Sequence, residues 1–172
     1  MISGVLRLMG VFMGDRVGHQ HEDPQFRDKV PLNEKIETIR KRNNNHRVWG
    51  WKLPNTIYYL TDVFKELRNP HIITVYRNPF EVGRSSATRD GVEFTQKLLE
   101  VPINHYKKMQ ETIRKVGACP LIAYSHEAIL KDKEGFLSSL AEFCGIVMTE
   151  EQRVKCLEFI DPAAGYKKIN PT

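Results

Sequence analysis

From Val75 to Gly91 the chain reads VYRNPFEVGRSSATRDG. Arg77, Arg84 and Arg89, with the adjacent pair Ser85 and Ser86, concentrate anion-seeking groups where an apolar, β-branched run gives way to Asn-Pro. Asn78 has the residue type of a helix N-cap and Pro79 that of a first helical position. A helix beginning directly after a strand presents free N–H groups and the positive end of its dipole at the strand's carboxyl end. Arg77, standing there, offers a planar guanidinium that meets a phosphate with two parallel hydrogen bonds. Ser85 falls on the second turn of the expected helix, and its hydroxyl can donate to the same anion. The stretch therefore reads as a phosphate clamp. A second reading needs no ligand: Arg77 pairs with a carboxylate such as Glu81, and Ser85 and Ser86 are small packing residues. The residues alone leave both open.

The clamp depends on elements that hold its parts. HIITVY, bounded by Pro70 and Arg77, and PLIAYS, from Pro120 to Ser125, are the clearest strand signals. Val48 to Lys52, VWGWK, reads as a third, short buried strand. Helical spacing sets Ile2, Val5, Leu6 and Met9 on one helix ending at Gly10 and Gly14, and Leu32, Ile36 and Ile39 on a second. Asn55 is placed to cap a third, carrying Ile57, Leu60, Val63, Phe64 and Leu67. After the Pro79 helix and its stop at Gly91, a longer helix is expected over Val92 to Val116, broken or kinked at Pro102. Two more close the chain: one with Phe136, Leu137, Leu140 and Phe143 before Gly145, the other opened by a Thr149–Gln152 capping box and ending before Pro162. Strands alternating with helices predict an α/β domain. The helical connection predicts HIITVY and PLIAYS parallel in one sheet. Three strands are few for a sheet covered on both faces.

The composition bounds the rest. The 172 residues suffice for a single domain spanning 1–172, and 41% hydrophobic with 27% charged residues is a globular mixture. The net charge of +5 fits an anionic ligand or a nucleic acid without selecting either. Cys119, Cys144 and Cys156 are odd in number and lack C-x-x-C spacing, which argues against a disulfide framework or zinc site and for a reducing, cytoplasmic setting. The amino terminus lacks a basic region and a cleavage site, and no run is apolar enough to span a membrane.

The stretch YRNPFEVGRSS resembles the segment of sulfotransferases that grips the 3′-phosphate of PAPS, 3′-phosphoadenosine 5′-phosphosulfate. In that family a strand ends in Arg-Asp/Asn-Pro and a serine follows at the spacing that separates Arg77 from Ser85. Three more stretches resemble the family in order: LMGVFMGD…HEDPQF, its loop after the first helix; WGWKLPNT, the bacterial WGWKDPRT strand and turn; and LIAYSHEAILKDKEGFLSSLAEFCGI, its YEDLL strand and helix pair. Together they cover most of the chain. The resemblance implies a three-layer α/β/α fold with a mostly parallel sheet, of the P-loop-NTPase-like sulfotransferase type. It also implies transfer of a sulfuryl group from PAPS to a hydroxyl or amine of a small-molecule or carbohydrate acceptor, without a metal. Arg77 and Ser85 would bind the cofactor. Glu22 would be the base, with His21 its rival, and Lys52 would stabilise charge; a solvated Glu22 and a Lys52 paired to Asp62 or Glu66 are the plainer alternatives. SGVLRLMG matches the family's first helix. That register puts the family's G-x-x-R-S-G-T-S loop and first strand upstream of Met1, so an N-terminally truncated fold, a weak enzyme and a homo-oligomer through an unpaired sheet edge are expected.

Other candidates carry less. His19-x-His21 has metal spacing but no plausible further ligands. RKRNNNHR, Arg40 to Arg47, reads as a solvated basic helix end rather than a nucleic-acid face, and it lacks interleaved aromatics. Lys167 and Lys168 match the family's basic carboxyl-terminal segment poorly and receive no role. Trp49, Trp51, Tyr58 and Tyr59 read as core sooner than as adenine-stacking groups. Two alternatives to the enzyme stand: a non-catalytic remnant that binds adenosine 3′,5′-bisphosphate, and a basic nucleic-acid-binding module.

Overall fold

The computed structural model describes residues 1–18 and 21–160. Helix α1 (Ile2–Leu8) leads into a loop that turns at Gly10 and Gly14, both at positive φ. A 3-10 turn at Pro24–Phe26 precedes α2 (Leu32–Asn45). Ile39 of α2 is fully buried, whereas Leu32, expected on the same inward face, is 41% exposed. The single helix expected from Asn55 is instead three short pieces: a 3-10 turn at Pro54–Tyr58, α3 (Leu60–Val63) and a second 3-10 turn at Phe64–Glu66. Asn55 caps nothing; its amide donates to Asp28. Thr112 donates to the Ile57 carbonyl at 2.8 Å, so that carbonyl is satisfied from outside the segment.

Strand β1 (Ile72–Tyr76) is followed by α4 (Pro79–Asp90), α5 (Gln96–Val116) and strand β2 (Leu121–Ser125). The strands pair in parallel, Ile72 opposite Leu121 through Tyr76 opposite Ser125, as the sequence predicts. Asn78 accepts from the Phe80 N–H at 2.9 Å, Pro79 opens α4, and Gly91 closes it at φ +66. There the Val92 N–H bonds back to the Ala87 carbonyl, which ends the helix in a Schellman turn and delays α5 to Gln96. Pro102 lies inside α5 and has no N–H to give the Leu98 carbonyl. Gly83 of α4 packs on that same carbonyl: a Cβ there would stand 3.0 Å from its oxygen and 2.8 Å from the Phe94 ring.

The segment Val48 to Lys52, expected as a third strand, forms only an isolated parallel bridge between Phe12 and Trp49. Its side chains hold it instead. The Trp49 indole N–H donates to Asn43, that of Trp51 to Thr56, and the Trp51 ring stacks on Phe26 at 4.4 Å. Pro54 follows directly and starts the 3-10 turn. Three helices complete the described chain: α6 (His126–Lys131), capped by Ser125 and not anticipated from the sequence; α7 (Lys133–Cys144), closed by Gly145; and α8 (Glu150–Phe159), opened by the Thr149–Gln152 capping box.

Alternation along a strand sends neighbouring side chains to opposite faces. Ile73 and Tyr124 accordingly join a core with Val5, Leu6, Phe136, Leu137, Leu140 and Cys156, from α1, α7 and α8. Ile72 joins a second core with Phe26, Ile39, Leu60 and Val63, together with Trp49 and Trp51. Apolar clusters thus cover the small parallel sheet on both faces, an α/β arrangement. Among the described residues no helix is long and apolar enough to cross a membrane.

Candidate functional site

The carboxyl ends of β1 and β2 meet at the turn that carries Arg77. Tyr106 of α5 holds this turn through one hydroxyl, which accepts from the Arg77 N–H at 2.9 Å and donates to the Arg77 carbonyl at 2.8 Å. The next N–H, that of Asn78, donates to Glu127 at 3.0 Å, and Ser125 donates to the same carboxylate at 2.9 Å. The Asn78 N–H, the residue's own N–H and the Ser125 hydroxyl together pull the Glu127 carboxyl down to about 2. Between β1, α5 and α6 these groups surround an open hollow of about 590 Å³, lined by Tyr76, Arg77, Pro79, Tyr106, Ser125 and Glu127.

The half-buried Arg77 guanidinium pairs with no carboxylate among the described residues. Glu81, its anticipated partner in the ligand-free reading, lies 3.9 Å from Arg84 instead. The Arg77 charge is felt by His126, whose imidazole is held below its ordinary 6.5 by burial first, then by Arg77, with Glu127 opposing. Ser85 sits exposed on the second turn of α4 and is not among the residues lining the hollow.

The other two expected site residues do meet. Lys52 and Glu22 form an ion pair at 2.8 Å, with side chains 40% and 20% exposed. Neither Asp62 nor Glu66 takes Lys52; Glu66 pairs with Arg40. His21, the rival base, is 2% exposed, its ring edge against Phe159 and its carbonyl accepting from Ser3 at 3.1 Å. It belongs to the packing beneath the loop, while Glu22 reaches outward. His19 lies outside the described residues, as do Lys167 and Lys168.

The loop bearing Glu22 is fixed by its neighbour. Asp23 is buried, accepts from the Gln25 N–H and pairs with Arg42 at 2.6 Å. Arg42 in turn lies over the rings of Phe12, Phe26 and Trp49 at 5.1, 5.1 and 5.6 Å. This corrects the expectation of a solvated helix end at RKRNNNHR, for its third residue is a buried ionic anchor. Gly14 is required here, since a Cβ would stand 2.5 Å from an Asp23 carboxylate oxygen. Trp49, Trp51 and Tyr59 pack in the second core, as expected, while Tyr58 is 61% exposed.

Burial, then the Lys52 charge, lower the Met1 amino group from its ordinary 8.0, and that amino group also acts on His126. The Lys52–Glu22 pair sets a carboxylate able to take a proton beside an ammonium able to stabilise developing charge. Tyr106, His126 and Glu127 were not singled out from the sequence; Tyr106 in particular reaches Arg77 only through the fold.

A model of the sulfotransferase family matches residues 15–150. No curated protein and no solved structure matches the chain.

Proposed function

Because the chain belongs to the sulfotransferase family, we propose that it transfers a sulfuryl group from PAPS to a hydroxyl or amine of a small-molecule or carbohydrate acceptor. The observation that carries this reading is the Arg77 turn, tied down by Tyr106 and Glu127 while its guanidinium is engaged by no described carboxylate. Arg77 and the first N–H groups of α4 bind the 3′-phosphate, and Ser85 closes on it from the next turn. The small parallel sheet, covered on both faces, is compatible with the P-loop-NTPase-like three-layer fold. PAPS supplies an activated sulfuryl group whose leaving group is a phosphate. Glu22 takes the proton of the acceptor O–H or N–H as the acceptor heavy atom bonds to sulfur. The bond from sulfur to the 5′-phosphate oxygen breaks with its electron pair, and Lys52 stabilises the charge that develops. Lys52 must first exchange Glu22 for the incoming anion, because the two neutralise each other at 2.8 Å.

The test is incubation of the chain with PAPS carrying labelled sulfur and a panel of phenols, alcohols, amines and saccharides. Labelled product together with adenosine 3′,5′-bisphosphate is expected. The Lys52–Glu22 pair also suits a second reading, a non-catalytic protein that binds the bisphosphate; tight binding without labelled product would select it. Failure to bind the bisphosphate at all would remove the PAPS assignment.

A further inference from the structure

We propose that Glu127 is a specificity-determining residue of the Arg77 hollow: its carboxylate occupies the backbone donor beside Arg77 as a resident anion, and the ligand's phosphate binds by displacing it. This rests on the 3′-phosphate reading above. Arg77 and Glu127 line the same hollow, and Glu127 Oε1 accepts from the Asn78 N–H at 3.0 Å, the main-chain donor directly after Arg77. The other donors of the turn are also taken. The Arg77 N–H goes to the Tyr106 hydroxyl at 2.9 Å, Pro79 has no N–H, and the Phe80 N–H goes to the Asn78 side chain at 2.9 Å. An anion that seeks a main-chain donor at this turn therefore meets Glu127 first.

A carboxylate on a main-chain N–H forms the charge-assisted bond that a phosphate oxygen would form there. Ser125 donates to Oε2 at 2.9 Å, so that bond can stay while Oε1 gives up Asn78. The Glu127 side chain is exposed, and its carboxyl, held at about 2, carries its charge throughout the neutral range. A phosphate monoester dianion brings a second charge and two oxygens matched to the Arg77 fork, and that excess over a carboxylate drives the exchange. Glu127 thus opposes every anion at Arg77 and sets how strongly the hollow prefers a 3′-phosphorylated ligand to one without that group.

Calorimetry at about pH 7.5, where a phosphate monoester is mostly a dianion, compares adenosine 3′,5′-bisphosphate with adenosine 5′-phosphate on wild type, Glu127→Gln and Glu127→Ala. Glutamine keeps an acceptor for the Asn78 N–H without the charge; alanine leaves that N–H open. Both variants are expected to bind the bisphosphate roughly fivefold more tightly than wild type, the difference between a charged and a neutral hydrogen bond. Adenosine 5′-phosphate should be nearly unaffected. A merely structural role for Glu127 moves affinity the other way, because a loosened turn binds less well. Circular dichroism identifies a variant that fails to fold, and either substitution suffices. Unchanged or weaker bisphosphate binding in a folded variant overturns the proposal, as does an equal gain for both ligands. Arg77→Ala is measured in the same series. If it weakens bisphosphate binding while the Glu127 variants show no gain, only this inference fails; if it binds like wild type, the 3′-phosphate reading fails and this inference falls with it.

Discussion

Arg77 does its work through its backbone as much as its charge. One tyrosine hydroxyl takes both polar groups of its main chain, and a carboxylate takes the N–H that follows. The guanidinium thus projects from a fixed base, and little ordering remains to be done when an anion arrives. Arg77→Ala is expected to weaken adenosine 3′,5′-bisphosphate by roughly 1.5–3 kcal/mol, the range for a charged hydrogen bond. Adenosine 5′-phosphate should be nearly unaffected, and calorimetry with both ligands checks the difference. Glu127 lends itself to a pH experiment. Its folded value, about 2, lies below the ordinary 4.5. Its contribution to stability is therefore present above about pH 4.5 and lost as pH falls toward about pH 2. Glu127→Gln should lower the melting temperature at neutral pH and leave it unchanged at the acid end, so that the two acid-unfolding curves converge. Of these residues only Arg77 was legible in the sequence, because its signal is local: strand end, Asn-Pro, helix. Tyr106 meets it from another element, and no spacing in the chain announces that contact.

At the scale of elements, what the sequence discloses follows the range of the interaction. Asn78, Pro79 and Gly91 of α4, and Thr149 and Gln152 of α8, bond to neighbours a few residues away, and the structure forms those caps as the residue types dictate. The parallel pairing of β1 with β2 was also legible, from two β-branched runs and a helical connection. The strand expected at Val48 to Lys52 was not realised, because indole hydrogen bonds and ring stacking, invisible to a strand propensity, decide its environment. The contact between α4 and α5 is another long-range fact. Gly83 lets α4 approach the Leu98 carbonyl that Pro102 leaves without its helical donor. Gly83→Ala would drive a methyl group to 3.0 Å from that oxygen and 2.8 Å from the Phe94 ring. A loss of about 1–3 kcal/mol is expected for such overpacking. Urea unfolding measures it, and weaker bisphosphate binding in the folded variant should accompany it, since α4 carries the N–H groups beside Arg77.

Across the whole molecule, part of the basic character serves as anchors. RKRNNNHR looks like a polyanion-binding run, yet Arg40 pairs with Glu66, Asn43 donates to the Glu66 carbonyl, and Arg42 is buried. Arg68 adds its own donors to the carbonyls of Asn43, His46 and Arg47, so the run's backbone is tied to the body of the protein. The anchor that matters most is Asp23–Arg42, which joins the Glu22 loop, α2 and the second core. An ion pair out of reach of water is costly to form but costlier to break from one side, because the surviving charge is left without compensation. Asp23→Ala is therefore expected to destabilise the fold by about 3–5 kcal/mol, whereas Asp23→Leu combined with Arg42→Met should lose clearly less. Comparison of the two by urea denaturation decides the matter: equal losses would mean that the pair's own attraction, rather than the cost of an orphaned charge, holds the loop in place.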